Sequence, residues 1–240
     1  MKIVFFGSQK FFSFYKDALE SAGHKMVDLE KGPDLGVIAY YGKILKSDTL
    51  KIPKYGFINI HPSLLPSYRG PSPARSAILA GDTITGVTIH ITAKKVDAGA
   101  VLARKEAPIN PEDNYEKLEE KLFKMGARLL PETIDGWMSG KIIPQKQDES
   151  KATYTKLIKK NDGLIDWSRG AEYIERMTRA YNPWPGTFTK MKNGKILKIK
   201  KVEVKNGVLK ILVVQPESKK EMSWKEFLNG YRKLYLADAR

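Results

Sequence analysis

Gly56-Phe57-Ile58-Asn59-Ile60-His61-Pro62 reads as a β-strand that carries an amide and an imidazole to its end. Phe57, Ile58 and Ile60 favour a pleated, buried surface, and Pro62 cannot extend a hydrogen-bonded ladder. Asn59 and His61 are two residues apart, so they share a face. Upstream, Lys2–Gly7 reads as a buried strand, and Phe11–Ala22 as a helix that stops at Gly23. Lys25–Leu29 reads as a short strand, and Leu35–Tyr41 as a buried strand ended by Gly42. Strands alternating with helices predict an α/β fold with a mostly parallel sheet. Sites in such sheets lie at the carboxyl ends of the strands, where Asn59 and His61 fall.

Downstream, Pro66 to Pro73 is a loop and Ala74–Ala80 a short helix. Gly86–Thr92 and Val101–Lys105 predict an antiparallel pair, with Asp97-Ala98-Gly99 in the connection. Asn114–Gly140 predicts a long amphipathic helix whose acidic start suits its N-terminus. Gln145 to Asp162 is polar and Lys-rich, as a linker would be. Asp166-Trp167-Ser168 is expected to cap a helix through about Ala180. Asn182-Pro183-Trp184-Pro185-Gly186 cannot continue it. Beyond lie strands with turns at Asn193-Gly194 and Asn206-Gly207, dipeptides that favour two-residue hairpins, and a closing helix from Ser223 to Gly230. The expected division is a catalytic domain over 1–150, a linker with a helix over 151–185, and a small β domain over 186–240.

The chain has 240 residues, enough for one large domain and a small appendage, and 42% are hydrophobic. It contains no Cys, which excludes disulfides, thiolate metal sites and a Cys nucleophile. His24, His61 and His90 make no metal-spacing motif, so no metal is expected. The first apolar run is a strand followed by a turn rather than a signal peptide. No run approaches the ~20 apolar residues of a membrane span. A soluble, cytoplasmic protein without a membrane partner is expected. Net charge is +15, and residues 186–240 hold 14 Lys/Arg against 5 Asp/Glu. A solvated lysine surface and a phosphate-binding surface both fit that excess.

Asn59, His61 and Asp97 offer an amide, an imidazole and a carboxylate, the group types that passing a one-carbon acyl unit to an amine would need. Asn59 can donate N–H to a developing oxyanion, worth about 2.7–4 kcal/mol per donor. His61 can move a proton. Asp97 can fix the imidazole's tautomer or raise its pKa. Each alone also has a structural reading: a strand-end turn, a hydrogen-bonded residue before proline, a β-turn. His90 alternates with apolar residues in a strand and is expected to serve packing or the surface.

Asn59-Ile60-His61-Pro62-Ser63-Leu64-Leu65-Pro66-Ser67-Tyr68-Arg69-Gly70, with the Asp97 loop, resembles the signature of folate-dependent formyltransferases. The resemblance implies a Rossmann-like catalytic domain, 10-formyltetrahydrofolate as co-substrate, and Asn59, His61 and Asp97 as catalytic residues. It implies a folate site at Tyr40, Tyr41, Lys43, Ile44, Leu45, Val96 and Asp97. It places the substrate loop at Ser63, Leu64, Leu65, Pro66, Arg69 and Gly70. The stretches Ile165-Asp166-Trp167, Arg179 to Gly186 and Gln215 to Ser223 are similar to the linker and C-terminal domain of the members that formylate methionyl-tRNA. That likeness implies initiator methionyl-tRNA as partner and an OB-like β-barrel. Lys190, Lys192, Lys195, Lys198 and Lys200 are then candidate RNA contacts, with Lys192, Lys198 and Lys200 sharing a face if the strand is regular. Two departures stand out. Only Glu30–Asp34 lies between the second strand and Leu35, where those members carry a longer insertion with a basic loop. The C-terminal unit has room for only five or six strands. Formylation of an amino sugar on a nucleotide, or an inactive RNA-binding member of the fold, are the rival expectations.

Overall fold

The structure, a computed structural model, describes residues 1–231. Two compact units emerge. The first comprises Met1–Ala74, Thr83–Pro111 and Glu116–Lys156; the second comprises Arg75–Asp82, Glu112–Tyr115 and the described residues from Leu157 onward.

The first elements are β1 (Lys2–Gly7), α1 (Gln9–Ser21), β2 (Lys25–Met26), β3 (Leu35–Ala39), α2 (Ser47–Leu50) and β4 (Phe57–His61). They are followed by α3 (Pro73–Ala80), β5 (Ile84–Ile91), β6 (Val101–Pro108) and α4 (Tyr115–Met138). The sheet order is β2-β1-β3-β4-β5-β6, with β1 to β4 parallel and β5 and β6 antiparallel to their neighbours. Ile58 and Ile60 of β4 join Phe11, Tyr15 and Leu19 of α1 and Phe123, Ala127 and Leu130 of α4 in one buried core. Burying side chains of this size from water is worth about 1.5–3 kcal/mol each. Because side chains alternate along a strand, Asn59 and His61 point to the sheet face away from that core.

β2 is shorter than its sequence suggests. It pairs with β1 only at Lys25 and Met26, and a three-residue 3-10 turn, Leu29–Lys31, fills the short connection to β3. The polar stretch expected to begin a linker instead belongs to the first unit as far as Lys156. Gln145 pairs with Val101, and Tyr154 with Arg69. Within this stretch Gln147 is buried, while most of the other polar side chains are exposed.

In the second unit, Asp166 caps a 3-10 turn at Trp167–Arg169 and not the following helix. Gly170, at φ 82°, intervenes before α5 (Ala171–Tyr181). Then come β7 (Thr187–Lys190), β8 (Ile196–Lys205), β9 (Val208–Pro216), β10 (Met222–Ser223) and α6 (Trp224–Tyr231). Their sheet is antiparallel in the order β10-β9-β8-β7. Four strands form among the described residues; an OB-like closure needs a fifth. Lys205 pairs with Val208 across Asn206-Gly207, whose φ values of 51° and 73° make the expected two-residue hairpin. Asn193-Gly194 does not behave the same way. Gly194 N–H donates to the Met191 carbonyl and Met191 N–H to that of Lys195, a wider turn with positive φ at Gly194. The shared lysine face also fails. Lys192 lies on this turn, and β8 shifts register between Ile199 and Lys201, so parity does not carry from Lys198 to Lys200. The last nine residues of the expected 186–240 domain lie outside the described ones.

Candidate active site

β4 and β5 pair antiparallel with Asn59 opposite His90 and His61 opposite Thr88. Asn59 Nδ2 lies 3.2 Å from His90 Nε2 and donates to Asp97 Oδ1 at 3.2 Å. The other carboxylate oxygen, Asp97 Oδ2, accepts from the Gly70 N–H at 2.8 Å and faces His61 Nδ1 at 3.6 Å. His90 Nε2 is 3.6 Å from Asp97 Oδ1. The three expected residues therefore meet, and His90 joins them. Its role was hidden in the sequence because only the β4–β5 register reveals that it stands across from Asn59.

Carbonyl partners place a hydrogen on one nitrogen of each ring. His61 Nε2 lies 2.9 Å from the Tyr68 carbonyl, which only accepts, so Nε2 carries hydrogen and Nδ1 keeps a lone pair beside Asp97. His90 Nδ1 lies 3.0 Å from the Ile91 carbonyl and donates to it, while its Nε2 faces Asn59 Nδ2 at 3.2 Å and Asp97 Oδ1 at 3.6 Å. Burial lowers the His61 pKa below its ordinary 6.5 and outweighs the opposing pull of Asp97 and of the Tyr68 carbonyl. For Asp97, burial pushes upward, but the His90 ring, the His61 ring and the Gly70 N–H outweigh it and hold the carboxyl at about 2. At neutral pH the site pairs an ionised carboxylate with an uncharged imidazole.

Three non-glycine residues here take left-handed backbone: Tyr40 at φ 55°, Tyr68 at 60° and Asp97 at 52°. Such conformations cost on the order of 1–3 kcal/mol each and persist where surrounding contacts over-determine them. Thr88 anchors the start of the loop that carries Tyr68: its Oγ1 donates to the Ser63 carbonyl at 2.7 Å and accepts from the Leu65 N–H at 3.0 Å. Gly99 is required by space, since a Cβ there would stand 1.6 Å from the Ile91 carbonyl oxygen.

β3 pairs with β4 so that Ile38 lies beside Asn59, which sends the 40–46 loop off next to the trio. Tyr40 turns its ring to Phe11 and Phe123 on the core side, and Tyr41 lies against Phe6. Lys43 is exposed and Leu45 half-buried. Ile44 is 90% exposed and Val96 55%, an apolar rim that a flat, partly apolar ligand could cover. In the expected substrate loop, Leu64, Pro66 and Gly70 are half-buried, whereas Ser63, Leu65 and Arg69 are buried. Ser63 Oγ donates to the Ser67 carbonyl. Arg69 is wholly buried and gives its N–H groups to Gln147, Glu149 and Tyr154, so its guanidinium shapes the loop and is not presented to a substrate. Among the lysines of the second unit, Lys190, Lys192, Lys195 and Lys198 are exposed, while half-buried Lys200 pairs with Glu221 at 3.2 Å. Among the described residues, no group of three or more His, Cys, Asp or Glu side chains is placed to hold a metal ion, and no helix is long and apolar enough to cross a membrane.

The sequence profile of the formyl transferase family matches residues 13–134, and that of the formyl transferase C-terminal domain matches residues 157–207. A methionyl-tRNA formyltransferase of Roseiflexus sp. (strain RS-1) is 44% identical over 224 residues, spanning 83% of this chain and 69% of that protein. Methionyl-tRNA formyltransferase from Clostridium thermocellum shares the fold with a TM-score of 0.69 at 17% identity, over 90% of this chain and 98% of that one. HypX from Aquifex aeolicus, solved in complex with tetrahydrofolic acid, shares it with a TM-score of 0.72 at 17% identity, over 97% of this chain and 48% of that one. With both profiles matched in order and a close relative aligned along most of its length, the chain belongs to the formyl transferase family, among the methionyl-tRNA formyltransferases.

Proposed function

We propose that this chain transfers the formyl group of 10-formyltetrahydrofolate to the α-amino group of initiator methionyl-tRNA, in the cytoplasm. The observation that carries the reading is the convergence of Asn59, His61 and Asp97 at the carboxyl end of β4 in a member of this family. The amine attacks the formyl carbon, the new C–N bond forms, and the carbonyl electrons move onto oxygen. One Asn59 N–H leaves its resting partner to meet that oxygen. His61 Nδ1, which holds a lone pair, takes the proton that the amine loses, and Asp97 stabilises the resulting imidazolium. The bond from the formyl carbon to the folate nitrogen breaks, and that nitrogen gains the proton. Tetrahydrofolate and formylated methionyl-tRNA leave, with no net proton change. The loop holding Tyr41, Lys43, Ile44 and Leu45, with Val96, would take the pterin; the exposed apolar rim fits such a ligand.

The short β2–β3 connection favours a second reading, an amino sugar on a nucleotide as the acceptor, because a small acceptor needs no inserted basic loop. The test supplies 10-formyltetrahydrofolate with charged initiator methionyl-tRNA, charged elongator methionyl-tRNA, or an amino-sugar nucleotide. Initiator-selective transfer is expected. Asn59→Ala should then lower kcat by about 10²–10³-fold, the loss of one oxyanion donor. Transfer to the sugar alone would replace the reading with the second one.

A further inference from the structure

The segment 145–155 connects the two loops that carry the site. Its first tie is at Gln145, which exchanges both backbone hydrogen bonds with Val101, just past the Asp97 loop. Its last ties are to the loop after His61. The Thr153 N–H donates to the Pro66 carbonyl, the Arg69 N–H to the Thr153 carbonyl, and the Thr155 N–H to the Arg69 carbonyl. Thr153 Oγ1 accepts from the N–H of strained Tyr68 at 2.8 Å. The segment thereby holds the two backbone groups that orient the site from the loop side, the Tyr68 carbonyl on His61 and the Gly70 N–H on Asp97.

Gln147 sits between the two sets of ties and is 4% exposed. Its Nε2 donates to the Asp97 carbonyl at 2.8 Å and to the Gly99 carbonyl at 2.7 Å. Its Oε1 accepts from Arg69 Nε at 3.2 Å and Nη2 at 2.8 Å. Two N–H donors and two acceptor sites are all a glutamine amide has, and here each is used on a different polar atom. The remaining guanidinium donors go to both oxygens of Glu149 and to the Tyr154 hydroxyl. Lys95 also contacts Glu149, and these two cations hold its carboxyl at about 2.

We infer that Gln147 is a positioning residue for the formyl-transfer site, the bridge that fixes the left-handed backbone of Asp97 against the loop carrying Tyr68 and Gly70. The inference rests on the reading of Asn59, His61 and Asp97 as the transfer site. Gln147 touches no reacting atom. It acts through Asp97, whose carboxylate must stay between His61 Nδ1 and Asn59 Nδ2. A buried amide serves here because it supplies two donors and two acceptors without adding a charge beside the carboxylate.

The test uses Gln147→Met, which keeps size and neutrality and removes every one of those bonds; Gln147→Asn, too short to span both carbonyls, stands in if the methionine variant does not fold. Two readouts are taken in the full chain. The first is steady-state formyl transfer, alone and combined with Asp97→Asn. The second is the imidazole titration of His61 followed by nuclear magnetic resonance, in a chain with only three His to assign. Asp97 pulls the His61 pKa upward, so a displaced carboxylate lets it fall further below the ordinary value. Expected are a kcat loss of about 10²-fold with KM for the folate unchanged, the scale of a small misplacement of a catalytic group. That loss should largely vanish in the Asp97→Asn background, because residues acting as one unit are not additive. The His61 titration should move down. Full additivity with Asp97→Asn, or an unmoved kcat and His61 titration, would overturn the inference. If the unaltered chain transfers no formyl group, the function above fails, while the His61 titration still decides whether Gln147 positions Asp97.

Discussion

Asp97 combines a left-handed backbone, an ionised carboxylate and four neighbours around it, and the proton transfer proposed for His61 depends on where it sits. The pH profile of turnover should expose this. Burial lowers the His61 pKa, so the ring is less protonated than an ordinary histidine at the same pH. A histidine can accept a proton only when uncharged, as the proposed role of His61 requires. The acid limb of kcat/KM, measured between about pH 5 and 8, should therefore be centred below 6.5. Asp97→Asn removes the charge that favours the imidazolium, so the falling limb of its residual activity should move to still lower pH. A limb centred at or above the ordinary histidine value would contradict His61 as a neutral acceptor. His90 shows what residue-level reading misses. Its side chain looked like one polar position in an alternating strand, and nothing in residues 84–91 says that Asn59 lies opposite.

At the scale of elements, the Asp97 loop depends on a glycine for a reason that is purely spatial. A Cβ on Gly99 would fall 1.6 Å from the Ile91 carbonyl oxygen, and that neighbour is strand backbone that cannot swing aside. Gly99→Ala must then displace the loop against its ties to Gln147. Turnover should drop by about 10²-fold or more, the effect of roughly an ångström of misplacement. Kinetics with a thermal melt on the same sample checks it. An active, fully folded variant would show that the loop tolerates the shift. The strands and long helices were legible in the sequence because their apolar periodicity is forced by burial of one or both faces. Thus β1, β3, β4 and α4 fall close to their expected bounds. Residues 145–156 were not legible. Composition cannot separate a buried polar side chain that bonds two loops from a solvated one in a linker, since both need the same residues. The bulge at Lys200 was hidden for a related reason: it exists only relative to β9, and the lysine itself carries no sign of it.

For the whole molecule, charge is the property that bears on the acceptor. The chain is +15, and the exposed lysines of the second unit include Lys190, Lys192, Lys195 and Lys198. Isolated exposed ion pairs such as Lys205 with Glu203 add little to stability, so the excess positive charge is not there to hold the fold. Contact with RNA phosphates releases counterions, and log affinity then falls with log salt by about 0.7–0.9 per phosphate neutralised. A folate co-substrate carries few charges and releases few ions. KM for charged initiator tRNA should thus rise steeply between about 50 and 200 mM salt while KM for 10-formyltetrahydrofolate scarcely changes. Neutralising Lys190, Lys192, Lys195 and Lys198 to Gln together should flatten the tRNA slope and leave kcat at saturation intact, because those side chains touch no reacting atom. A tRNA slope as shallow as the folate slope would remove phosphate contact from the account and favour the small amino-sugar acceptor. A steep slope left unchanged by the four substitutions would keep RNA as the acceptor but assign its binding to other cations of the chain.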